Sequence, residues 1–131
     1  MGEDGVLAEY LRESSKLFKQ NKWVIAMDRR EIIESLKKYI VLLKTEGISV
    51  EKAFLYGSYS LDTETDHSDI DLMIVTNNVD ADNDAIIGKI WKLTKKINTK
   101  IEPFLVGVDR FNKNNYSPLI DLVKKSGIEI A

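Results

Sequence analysis

Asp69 and Asp71, separated by one residue, open an apolar run that continues as Leu72-Met-Ile-Val75. Side chains two apart on a strand leave on the same face, so the pair presents two carboxylates together. Carboxylates at the mouth of a buried strand are costly to keep charged unless something cationic meets them. Mg²⁺, a hard cation that takes oxygen ligands and keeps company with phosphates, suits such a seat. Ten residues, Tyr59 to Ser68, separate the pair from Gly57-Ser58, which ends an earlier apolar run, Ala53-Phe-Leu-Tyr56. The glycine lets the backbone approach a ligand and the serine adds a hydroxyl, so bare N–H groups can meet phosphate oxygens there. A phosphate cradle beside a carboxylate metal seat is what metal-assisted phosphoryl or nucleotidyl transfer needs.

Other acids in the loop do not make the same case. Asp62, Glu64 and Asp66 alternate as in a calcium loop, but His67 holds the glycine position and Met73 the place of the closing glutamate. They read as solvated surface, and His67 as a polar turn residue. Downstream, Glu102 shares a strand face with Phe104 and Val106, an odd place for a carboxylate without a purpose. Pro103 lacks an N–H and points to an edge strand or bulge, a location from which Glu102 can reach towards Asp69 and Asp71.

The pattern Gly57-Ser58-x10-Asp69-x-Asp71 is preceded by Lys52-Ala-Phe-Leu-Tyr56 and followed by Ile101-Glu-Pro103 and the ending Ser126-Gly-Ile-Glu-Ile130. Together these resemble the minimal nucleotidyltransferase family of the polymerase-β superfamily, over roughly residues 28–131. The resemblance implies that Asp69, Asp71 and Glu102 are the catalytic, metal-binding carboxylates, with Mg²⁺ or Mn²⁺ as the ion. Gly57 and Ser58 would hold the triphosphate of ATP or another nucleotide. The implied reaction moves a nucleoside monophosphate, AMP in the leading reading, to an acceptor hydroxyl. Members of the family are often encoded beside a HEPN-type partner as toxin–antitoxin pairs, which makes a tyrosine of such a toxin the leading acceptor. One departure stands out: Leu61-Asp62 occupies a place where relatives carry a small or basic residue followed by glycine. That departure favours the alternative of a catalytically weak antitoxin or binding module acting by protein contact. A small-molecule transferase is a third alternative, for which no acceptor-pocket residues are evident.

These residues need a frame to hold them. The 131 residues carry a net charge of −2, which gives no basic field and no direct sign of a nucleic-acid partner. There is no cysteine, so disulfides, thiolate metal sites and cysteine nucleophiles are excluded, in keeping with a cytoplasmic protein. No apolar stretch approaches the ~20 residues of a membrane span, and the amino terminus lacks a signal-peptide pattern. The expected layout is an N-terminal helical extension, 1–26, followed by a nucleotidyltransferase domain, 27–131. In the extension Leu7, Tyr10, Leu11, Leu17 and Phe18 fall at helical spacing. The capping-box spacing Asp28-x-x-Glu31 predicts a helix start, Ile32, Ile33, Leu36, Tyr39, Ile40 and Leu43 form its stripe, and Gly47 ends it. Strands are expected over 53–56, 69–76 and 100–106, the second apolar on both faces and therefore central. A helix carries Ile86, Ile87, Ile90, Trp91, Leu93 and Ile97, with Trp91 read as core. A polar loop covers 109–115. Ser117-Pro118 starts a last helix with Leu119, Ile120, Leu122 and Val123 inward, Gly127 ends it, and 128–130 adds a short strand. The fold class is α/β, a small mixed sheet flanked by helices. Homo-oligomerisation stays open.

Overall fold

The apolar run behind Asp71 sets the layout. It forms β2 (Ile70–Thr76), an inner strand of a four-stranded sheet. Its neighbours are β1 (Lys52–Tyr56) and β3 (Ile101–Gly107), and the short β4 (Ile128–Glu129) pairs with β1, giving the order β3-β2-β1-β4. β1 runs antiparallel to β2 and β4, whereas β3 runs parallel to β2, so the sheet is mixed. Leu72 to Thr76 are all buried, as a strand covered on both faces must be. Pro103 lies on the edge strand, where a missing N–H leaves no ladder partner unmet. The computed structural model describes residues 22–61, 63–65, 68–113 and 117–131, with the backbone alone over 22–28. The expected helix over 6–20, Asp62, Asp66 and His67 lie outside the described residues.

Among the described residues the α-helices are α1 (Lys22–Thr45), α2 (Asn78–Ala81), α3 (Asp84–Leu93), α4 (Val108–Asn112) and α5 (Pro118–Ser126). The chain divides between Ile32 and Ile33, and the sheet belongs to the unit 33–131. One core cluster joins Met73, Val75 and Val106 of the sheet to Phe111 of α4 and to Ile120 and Val123 of α5, with Phe54 and Phe104 against it. The Phe54 and Phe111 rings stack at 5.4 Å between centroids. Alternation sends Leu55, Leu72 and Ile74 to the opposite face, and all three are fully buried. On α1, Leu36, Tyr39 and Leu43 are fully buried as their spacing predicts, and the Tyr39 hydroxyl donates to the Ile90 carbonyl of α3 at 2.7 Å. Burial pushes the pKa of that hydroxyl upward. At the end of α1, Gly47 adopts φ 87°, and Ile48 N–H reaches back to Leu43 O while Gly47 N–H reaches Lys44 O, both at 3.0 Å. This pair of bonds is the Schellman ending that only a left-handed residue allows.

Several expectations are corrected. α1 is already helical at Lys22, so Asp28 lies within it and does not start it; Trp23 to Met27 contain no glycine or proline to interrupt the turns. The stretch read as a polar loop over 109–115 contains α4, because Phe111 is drawn into the core and the Asn78 side chain accepts the Asp109 N–H at 3.1 Å. Trp91 is 46% exposed and Leu122 is 39% exposed, so neither is core. Ile90 and Leu93, and likewise Ile120 and Val123, take the sheet-facing positions of their helices and leave the adjacent residue outside. Among the described residues no helix is long and apolar enough to cross a membrane.

Candidate active site

Strand register brings the acids together. Asp71 pairs with Tyr56 of β1 on one side and with Glu102 of β3 on the other. Residues in register across neighbouring strands project from the same face, so Tyr56, Asp71 and Glu102 form one row. Asp69 lies just ahead of β2, two residues before Asp71. A small turn carries the chain into it: Thr65 N–H donates to Ser68 Oγ at 2.9 Å, and Ser68 N–H returns to Thr65 O at 3.1 Å. The Ile70 N–H then bonds Lys100 O at 2.9 Å, fixing the starts of β2 and β3 together. Asp69 and Glu102 are exposed, whereas Asp71 is half-buried.

Gly57 follows β1 and opens a single 3-10 turn, Gly57–Tyr59. It has φ 77°, and a Cβ there would overlap Asp71 Oδ2 and lie 3.2 Å from Asp71 Cγ. No L residue fits without moving the carboxylate. The Gly57 carbonyl accepts from Ser60 N–H and Leu61 N–H, each at 3.1 Å, and from Ser60 Oγ at 3.0 Å. A planar trans peptide points its N–H opposite its carbonyl, so the Ser58 N–H is directed away from the loop interior. No side chain caps this turn. Leu61, beside it, is 50% exposed.

Burial, hydrogen bonding and neighbouring charge together favour the protonated forms of Tyr56, Asp71 and Glu102. The Glu102 carboxyl is raised above its ordinary value, first by a side-chain hydrogen bond with Asp69, then by burial and by the charges of Asp69 and Asp71. Asp71 is raised by burial and then by Asp69. Tyr56 is pushed up to about 12 by burial, then by Asp71 and Glu102, so its hydroxyl stays protonated at neutral pH. All five residues singled out in the sequence (Gly57, Ser58, Asp69, Asp71 and Glu102) therefore fall at one end of the β1-β2-β3 row. Tyr56 is the site residue that sequence reasoning passed over; its place opposite Asp71 follows from the antiparallel β1–β2 pairing. Among the described residues no three acids or histidines already stand as a finished metal cage. The donors that Asp69, Asp71 and Glu102 offer are all carboxylate oxygens, which suit Mg²⁺ or Mn²⁺, and anionic crowding of this kind is what a divalent cation relieves.

The model of the polymerase beta nucleotidyltransferase family matches residues 31–131, most of the chain. The chain belongs to that family. No curated protein matches it. Among solved structures, this nucleotidyltransferase domain is similar to a candidate nucleotidyltransferase from Sulfolobus solfataricus. The two are 14% identical with a TM-score of 0.56, over 73% of this chain and 84% of that one. It is also similar to a toxin–antitoxin structure with AMP-PNP, at 18% identity and a TM-score of 0.54, over 72% of each chain. At these identities the likeness is one of fold, and it agrees with the mixed sheet and flanking helices of the nucleotidyltransferase domain described above.

Proposed function

We propose that the protein is a metal-dependent nucleotidyltransferase that moves AMP from ATP to an acceptor hydroxyl, with a tyrosine of a HEPN-type toxin partner as the acceptor. The observation that carries this reading is the fit of Gly57 against the Asp71 carboxylate, with Glu102 beside it in register. A backbone that close to a carboxylate brings phosphate-binding N–H groups and a metal seat within one ligand's reach. A toxin–antitoxin structure with AMP-PNP among the similar folds supports a nucleotide and a protein partner.

In this reading the Ser58 N–H and hydroxyl hold phosphate oxygens, and the small Gly57 keeps the approach open. Asp69 and Asp71 hold a divalent ion, and Glu102 helps hold a second. Bound metal supplies charge stabilisation for the oxygens on either side of the α-phosphorus. The acceptor oxygen forms a bond to that phosphorus as the bond to the β-phosphate oxygen breaks, releasing pyrophosphate. Glu102 takes the acceptor's proton. What the chain contributes is positioning and exclusion of competing geometry.

A second reading, an antitoxin that neutralises its partner by contact, is favoured by Leu61, an exposed apolar side chain where a loop cation would serve the triphosphate. One experiment separates the two. ATP labelled at the α-phosphate is incubated with the protein, Mg²⁺ and a co-expressed HEPN-type partner. Label on the partner, lost without metal, supports the enzyme. A neutralised but unlabelled partner supports the contact reading.

A further inference from the structure

Asp84, Gly88 and Lys92 lie one turn apart along α3, and all three are exposed. An acid in the first turn and a lysine in the last suit the helix dipole, so those two charges have an ordinary explanation. Gly88 does not. A glycine inside a helix costs about 1 kcal/mol relative to alanine. Its φ is not positive, and a Cβ there would meet nothing within 4 Å. Neither backbone geometry nor internal packing requires it. Beside it Trp91 leaves 46% of its surface in solvent. On its other flank an open cavity of about 630 Å³ is lined by Ala85, Gly88, Lys89, Lys92, Leu93 and Lys96. Lys89 is engaged by Glu46 at 3.1 Å, but among the described residues neither Asp84 nor Lys92 has an ion-pair partner.

We propose that this face of α3 is a two-fold contact between two copies of the chain, the helices packed antiparallel with the two Gly88 residues at the crossing. A two-fold axis through Gly88 sets each residue before it against the residue equally far beyond it on the other copy. Asp84, four before, meets Lys92, four after. The pair occurs twice, so opposite charges face each other at both ends of the contact. Paired glycines let the two backbones come close, since interaxial distance is set by the side chains at the contact. The helix carries its own complement, and this points to a second copy over an unrelated partner. A single pair of ten-residue helices covers less than the roughly 1,600 Å² of a standard interface, so the association is weak and reversible.

Sedimentation equilibrium of the full chain from about 10 µM to 1 mM, the range suited to such affinities, tests this. The parent dimerises with concentration. Gly88→Leu, whose added β-carbon meets nothing within 4 Å in the monomer, removes the dimer. Asp84→Lys and Lys92→Asp each weaken it by roughly tenfold or more, because like charges then face each other twice. An equimolar mixture of those two variants regains association, since a mixed pair restores both attractions. The exchanged double variant Asp84→Lys/Lys92→Asp regains it alone, which guards against one single variant failing to fold. A parent that stays monomeric overturns the proposal. So does a dimer indifferent to Gly88→Leu and to both charge reversals, or a mixture that associates no better than its components.

Discussion

Gly57 lies so close to the Asp71 carboxylate that a β-carbon added to the glycine would overlap Oδ2. The contact joins the Gly57–Tyr59 turn to the acid row, and it makes position 57 intolerant for two separate reasons. One is the left-handed backbone, which costs a side chain about 1–2 kcal/mol. The other is the carboxylate itself.

Gly47 separates these reasons. It also has positive φ, but a Cβ there meets nothing within 4 Å. Gly47→Ala is expected to lower thermal stability and leave nucleotide transfer intact. Gly57→Ala is expected to lower stability at least as much and to abolish transfer in the fraction that remains folded. Melting curves paired with α-phosphate labelling read both; equal transfer by the two variants would disprove the Gly57–Asp71 linkage.

Raised carboxyls at Asp71 and Glu102 give a sign for pH dependence. An acid whose pKa is higher folded than unfolded binds protons more tightly in the native state, so stability falls as pH rises from the ordinary carboxylate range through the raised value. Without metal, Asp71→Asn should therefore melt higher than the parent at pH 7, with the gap closing towards pH 4. Mg²⁺ should stabilise the parent at pH 7, by about 2.7 kcal/mol at a hundred times its dissociation constant. The double variant Asp69→Asn/Asp71→Asn should not respond. A metal response equal to the parent's would remove these residues from the metal site.

Glu102 is exposed on the edge strand and its removal leaves no buried gap. Glu102→Gln should spare the fold, nucleotide affinity and partner binding while lowering turnover by roughly 10²-fold or more, the range for losing a general base. Binding measured by titration calorimetry and turnover by labelling decide the point. Parallel losses in both would assign Glu102 to ground-state binding.

Residues 1–26 are proposed to be an extension outside the nucleotidyltransferase domain, whose family match covers 31–131. Removing them should leave a protein that unfolds cooperatively and binds nucleotide. Aggregation of the truncated chain would show instead that the segment completes the core.

Much of the frame was legible in local pattern. β2 reads as central because Leu72 to Val75 are apolar on both faces, and Pro103 marks β3 as an edge because it has no N–H to give. Gly57-Ser58 and Asp69-x-Asp71 are equally local, since a glycine before a turn and two acids on one strand face need no distant partner to be recognised. Their meeting was not local. That Glu102 stands beside Asp71, that Tyr56 stands on its other side, and that Gly57 touches its carboxylate depend on strand register, which a one-residue slip would reverse. Trp91 and Leu122 show the same limit from the other direction. Helical spacing alone could not tell which side of each stripe the sheet would cover, because burial belongs to the packing of two elements and is a property of neither alone.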